Sequence, residues 1–128
     1  IHTRNSFNEA YEIEEKLNDK NLSGVFHCFS GTLDDAKKII DLECFYLGIG
    51  GVVTFKNGGI DKIINQISLE HLILETDSPY LTPVPNRGKR NESIYILDIA
   101  KKLSEIYEIS IDDIAKTTTH NANKLFKL

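Results

Sequence analysis

Two histidines and an aspartate each stand just past a short run of β-forming residues. They are His2 in Ile1-His2-Thr3-Arg4, His27 in Gly24-Val25-Phe26-His27-Cys28-Phe29-Ser30-Gly31, and Asp77 in Leu72-Ile73-Leu74-Glu75-Thr76-Asp77-Ser78-Pro79. In an α/β barrel, groups at the carboxyl ends of parallel strands project at one rim, where catalytic residues gather. Imidazole suits zinc and other transition metals, and a carboxylate widens the choice to magnesium and manganese. Three protein ligands leave a coordination position open to water, as metal-assisted hydrolysis requires. Taken singly, each histidine is an ordinary structural or surface group. The repeated context, together with Asp77, is what points to a shared cation. His71 precedes its strand and His120 lies in the last helix, so both read as structural.

Glu75 and Asp77 are two residues apart, and on a continuous strand both would face one side of the sheet. A strand-end turn with Asp77 or Ser78 bonded to its own backbone would explain the same letters. An apolar strand closing on Glu-Thr-Asp nonetheless needs partners for its carboxylates. Asp77 therefore reads as a site residue. Glu75 reads as a residue that orients a ligand or pairs with Arg4 or Arg87. One loop later, Arg87, Lys89 and Arg90 would lie over the same rim, where an arginine can grip a phosphate bidentately. Alone, such a charge run is usually a solvated loop. Cys28 and Ser30 have no adjacent histidine–acid pair, so covalent catalysis is not indicated. Phosphate-loop and dinucleotide glycine patterns are absent.

The elements that must hold these residues alternate. A strand end at Ile1 to Arg4 precedes a helix from about Ser6 to Asn18, with Phe7, Ala10, Tyr11, Ile13 and Leu17 at helical spacing. A turn cluster spans Asn18 to Asn21, followed by a strand from Gly24 to Cys28. Thr32 and Asp35 open a helix running to about Leu42. The next strand, Phe45 to Val53, is interrupted by Gly48, Gly50 and Gly51, and such glycines mark close backbone approach or a bulge. A short helix from Ile60 to Ile67 precedes the strand His71 to Glu75. A long loop to Asn91 holds all three prolines. Helices over Ser93 to Tyr107 and Ser110 to Lys127 close the chain, the second capped by Ser110 with Asp113 three residues on. Four strands alternating with helices imply parallel βα units in a single domain over residues 1–128, either a barrel segment or a doubly wound sheet.

With 128 residues, 41% hydrophobic and 27% charged, the chain has the composition of a soluble globular domain. The net charge of −4 supplies no global attraction for polyanions, so nucleic-acid binding would need a local basic patch or metal. Two cysteines make no disulfide scaffold, and a reduced, cytoplasmic setting is expected. No apolar run reaches membrane-span length. The chain opens on Ile1 inside a strand end, which reads as a fragment of a longer protein with more of the same architecture upstream.

Several motifs in order resemble the TatD-type metal-dependent deoxyribonucleases of the amidohydrolase-like superfamily. They are Ile1-His2-Thr3-Arg4, Phe26-His27-Cys28-Phe29-Ser30-Gly31, Gly51-Val52-Val53-Thr54-Phe55-Lys56-Asn57, and the run from Leu74-Glu75-Thr76-Asp77-Ser78-Pro79 through Arg87-Gly88-Lys89-Arg90-Asn91-Glu92. The resemblance implies the last four βα units, the C-terminal half, of a (β/α)8 TIM barrel. It implies that His2, His27 and Asp77 match positions binding divalent metal ions, two of them, Mg, Mn or Zn, in the service of DNA phosphodiester hydrolysis. Family members also carry a His-x-His pair on the first strand and a glutamate on the fourth, neither present here, and a proline where this chain has Ser93. The expected partners are a DNA substrate and the N-terminal half of the barrel, with no membrane. Asp77 would also orient or deprotonate the attacking water, while Arg87, Lys89 and Arg90 would contact substrate phosphate. The alternatives are a barrel hydrolase acting on an amide, lactone or small phosphoester, and an inactive fragment or binding module.

Overall fold

A computed structural model describes residues 1–3, 5–18 and 21–128. Three strands form the sheet: β1 (Gly24–Phe26), β2 (Phe45–Ile49) and β3 (Leu72–Leu74). All pair in parallel in the order β1-β2-β3, with Phe26 beside Leu47 and Leu47 beside Leu72. The Ile1 segment runs along the far side of β1, where His2 bridges His27 in parallel and the His27 N–H donates to the Ile1 carbonyl at 2.9 Å. Spatial order therefore follows chain order across four neighbouring segments. A barrel requires that throughout, whereas a doubly wound sheet reverses at its switch point.

Among the described residues, five α-helices accompany the strands: α1 (Phe7–Leu17), α2 (Leu33–Asp41), α3 (Ile60–Ile64), α4 (Ile96–Tyr107) and α5 (Ile111–Phe126). The Thr32 and Asp35 signal opens α2 as a reciprocal capping box. The Asp35 N–H donates to Thr32 Oγ1 at 3.2 Å, and the Thr32 N–H donates to the Asp35 carboxylate at 2.8 Å. Aspartate suffices although glutamate is the commoner partner. Ser110 caps α5 as expected, accepting from the Asp113 N–H.

Phe26, Leu47 and Leu72 form one row of the core, joined by Phe45, Ile49, Ile39, Ile99, Leu103 and Ile114. Each fully buried aliphatic side chain contributes about 1.5–3 kcal/mol. From α5, Asn121 donates to the carbonyls of Leu69 (3.0 Å) and Leu72 (2.8 Å), covering backbone acceptors at the start of β3. Among the described residues, no helix is long and apolar enough to cross a membrane.

Two expectations need correction. The strand beginning at Phe45 is expected to reach Val53, but β2 stops at Ile49 and Gly51–Thr54 turns as a 3-10 helix. The β-branched Val52-Val53 pair suggests a strand. At the bend the Leu81 carbonyl lies where a Gly51 side chain would be, which glycine permits, and Thr54 Oγ1 donates to the Gly51 carbonyl within the 3-10 turn. In α1, Ile13 and Leu17 share the helical spacing of Phe7, Ala10 and Tyr11, yet they are 57% and 62% exposed. The inward stripe runs through Phe7 and Tyr11, which pack against the core. Ile13 and Leu17, one turn apart, form a second stripe beside it.

Candidate metal centre

Alternation along a strand sends neighbouring side chains to opposite faces. Phe26 on β1 and Leu72 and Leu74 on β3 face the core, so His27 and Glu75 leave their strand ends on the opposite face. Both are fixed by backbone bonds. His27 N–H pairs with Ile1, and Glu75 N–H donates to the Ile49 carbonyl at 3.0 Å. β2 lies between them, and at that level its residue is Gly48. A Cβ there would strike the Glu75 carboxylate and lie 3.2 Å from the His27 Cα. The glycine is thus the gap through which Glu75 spans from β3 to β1. This is the close approach its position in a strand suggests.

The Glu75 carboxylate accepts from the Cys28 N–H at 2.7 Å and lies 2.8 Å from His27 Nδ1. The other ring nitrogen, His27 Nε2, is 3.2 Å from Asp77 Oδ1. His27 therefore sits between two carboxylates, one at each nitrogen, with its side chain 29% exposed. Neutral imidazole carries a single N–H. With that hydrogen donated to Glu75, the Nε2 lone pair faces a carboxylate oxygen. The contact is repulsive unless a proton or a metal cation lies there.

Asp77 reaches this place by a route that strand geometry does not provide. β3 ends at Leu74, and Asp77 adopts a left-handed backbone with φ of 54°. The expectation that Glu75 and Asp77 share one face of a continuous strand is corrected accordingly. They meet the same imidazole at different atoms, Glu75 from the strand end and Asp77 from the turn after it. Cys28, directly after His27, is also left-handed, with φ of 51°. Such strain in non-glycine residues collects at functional sites.

His2 stands beside the pair, its ring centroid 5.4 Å from that of His27. Among the described residues, no three His, Cys, Asp or Glu side chains are grouped closely enough to hold a metal ion by themselves. The His27–Asp77 pair nevertheless fits one edge of a coordination shell. Two ligands at bond lengths of about 2.0–2.2 Å to one ion lie about 3–3.5 Å apart. Glu75 at Nδ1 matches the carboxylate–histidine–metal arrangement, which fixes the ring and its tautomer.

The basic residues of the loop are placed differently. Arg87 donates from Nη1 to the Thr82 carbonyl at 3.1 Å and lies 4.0 Å over the Phe55 ring, so its guanidinium braces the loop. Arg87, Lys89 and Arg90 are all exposed. Arg4 lies outside the described residues. The Cys28 thiol is pushed up to about 11 by burial first and then by the Glu75 and Asp77 charges, so it remains protonated and a poor nucleophile. A recess of about 620 Å³ lies elsewhere, where Tyr46 and Glu70 meet Lys116, His120 and Lys124 of α5. It touches none of the residues above, and convergent side chains mark the site better than cavity size.

Sequence reasoning missed Asn91, whose side chain is buried and ties down the turn carrying Asp77. An asparagine closing a polar loop carries no signal that separates this role from an ordinary turn residue.

Comparison with known proteins shows the family and the fold. Residues 1–127 match the sequence model of a family described as TatD related DNase. An uncharacterized metal-dependent hydrolase, YabD, from Bacillus subtilis strain 168 is 38% identical over the whole of this chain and 50% of its own length. The uncharacterized metal-dependent hydrolase YcfH from Escherichia coli K12 is 37% identical, again over the whole chain and 48% of its own length. The chain spans about half the length of the curated relatives it matches. In three dimensions it resembles the crystal structure of YJJV, a TATD homolog from Escherichia coli k12. The TM-score is 0.91 at 26% identity, covering 99% of this chain and 49% of that one. A hydrolase TatD family protein from Entamoeba histolytica shares the fold, with a TM-score of 0.83 at 22% identity, covering 97% of this chain and 48% of that one. The α/β architecture is that of the C-terminal half of a (β/α)8 barrel.

Proposed function

Because this chain belongs to the TatD-related DNase family, we propose that the full-length protein hydrolyses DNA phosphodiester bonds with divalent metal ions held in part by His27 and Asp77. The observation that carries this reading is the placement of His27 between two carboxylates, with Nε2 and Asp77 Oδ1 3.2 Å apart. A divalent ion, when bound, supplies Lewis acidity that polarises a phosphate ester and makes water a stronger acid. The remaining work falls to the chain. His27 offers Nε2 while Glu75 retains the hydrogen on Nδ1. Asp77 binds and accepts a proton from the attacking water. His2 is a further ligand beside the pair. Lys89 and Arg90 meet substrate phosphate from the exposed part of the loop. Arg87, already engaged with Thr82 and Phe55, shapes that loop.

The other ligands are supplied by the rest of the full-length protein, whose relatives are about twice as long as this chain. The test is Mn2+- or Mg2+-stimulated cleavage of single-stranded DNA by the full-length protein, with His27→Ala as control. Cleavage lost in the variant is the expected result.

A second reading is favoured by the net charge of −4 and by the engagement of Arg87 within its own loop. The net charge weakens the long-range attraction for a polyanion, and the Thr82 contact occupies one Arg87 donor without neutralising its charge. On that reading the same centre hydrolyses an amide, lactone or small phosphoester. DNA left intact beside a hydrolysed lactone would select it.

A further inference from the structure

Resting on the metal-site reading above, we infer that Asn91 is a positioning residue that holds the Asp77 carboxylate in place from the far end of the same loop. Its side chain is buried, with 2% exposure. The two hydrogens on Nδ2 go to the carbonyls of Thr76 and Tyr80, both at 2.5 Å, and its backbone N–H donates to the Pro79 carbonyl at 3.1 Å. One residue thus supplies three donors to a single five-residue turn, and Asp77 lies inside that turn. The Tyr80 N–H closes it by donating to the Asp77 carbonyl at 2.9 Å.

The turn requires such a hold. Asp77 has φ of 54° and Leu81 φ of 53°, the left-handed region, which aspartate enters more readily than most residues but which is strained for leucine. Backbone bonding by β3 has ended at this point, since the strand stops at Leu74 and its last bond to β2 is made by the Glu75 N–H. Past that point, the Asn91 donors fix where the Asp77 side chain begins.

The remaining atom of Asn91 separates this role from packing. Its Oδ1 is buried without a hydrogen-bond partner. An aliphatic side chain would avoid that penalty while filling the same space. The two N–H groups are what an aliphatic residue lacks, and both are aimed at the turn bearing Asp77.

The experiment uses the full-length protein with Asn91→Asp, which keeps the shape and replaces the amide donors, and Asn91→Leu, which also removes the orphaned acceptor. Mn2+ affinity is read by electron paramagnetic resonance, and amide hydrogen exchange is read without metal. Both variants are expected to bind Mn2+ about 10–100-fold more weakly. Exchange at the Tyr80 amide should rise about tenfold while Ile73 and Leu74 in β3 stay protected. Unchanged Mn2+ affinity together with unchanged Tyr80 exchange would overturn the inference, and so would loss of protection throughout β3. Failure of the metal reading looks different: wild type would bind no Mn2+, or His27→Ala would bind it equally. The Tyr80 amide would then decide the positioning role independently.

Discussion

Glu75, at the end of β3, lies 2.8 Å from Nδ1 of His27, at the end of β1, across a strand that places no side chain between them. The contact joins residues far apart in the chain and orients the imidazole so that Nε2 faces Asp77. Its existence depends on residue 48 being glycine.

Substituting that glycine is therefore a direct probe. Gly48→Ala places a methyl group against the Glu75 carboxylate and close to the His27 backbone. Overpacking of this kind costs about 1–3 kcal/mol. Displacing the carboxylate should weaken Mn2+ binding by the full-length protein about 10–100-fold. Urea unfolding and calorimetric titration measure the two effects. In the Gly48→Ala/Glu75→Ala pair the stability penalties should be less than additive, because the carboxylate is the obstacle.

Tyr107 tests the packing of α4 against the segment before β3. Its hydroxyl proton is shared between the carbonyls of Ile64 and Ile67, at 2.9 and 2.7 Å. Tyr107→Phe should cost about 1–3 kcal/mol near neutral pH. Burial raises the Tyr107 pKa above its ordinary value of 10.0. Its contribution is thus complete below pH 10 and is lost as pH rises through the native value. Wild type should lose stability across that alkaline range more steeply than Tyr107→Phe, as pH-dependent chemical denaturation will show.

Much of this arrangement was legible in the sequence because it rests on local rules. Thr32 and Asp35 announced the start of α2, Ser110 that of α5, and the apolar run Leu72 to Leu74 a buried parallel strand. His27 and Asp77 were marked by their place after such runs. What escaped detection was non-local. Val52 and Val53 favour a strand by propensity, yet the chain turns at Gly51, against which the Leu81 carbonyl packs. Glu75 and Asp77 suggest a two-residue period, yet a left-handed residue breaks it. Arg87 looks like a free cation until Phe55 and Thr82 are placed around it.

The exposed apolar stripes bear on association. Ile13 and Leu17 on α1, with Ile94 just before α4 and Leu97 in its first turn, are all at least 55% exposed. β3 is the last strand of the sheet, and such an edge can pair with another chain. The 128-residue chain made alone should self-associate or bind the other half of the barrel, and it should not cleave DNA. Light scattering coupled to size exclusion tests this. A monomer with cooperative unfolding would contradict it.

Anomalous diffraction from crystals of the full-length protein equilibrated with Mn2+ tests the metal centre most directly. The expected result is a manganese peak within bonding distance of both His27 Nε2 and an Asp77 carboxylate oxygen, with Glu75 still bonded to Nδ1. Manganese bound elsewhere, with His27 and Asp77 in direct contact and no ion between them, would contradict the account.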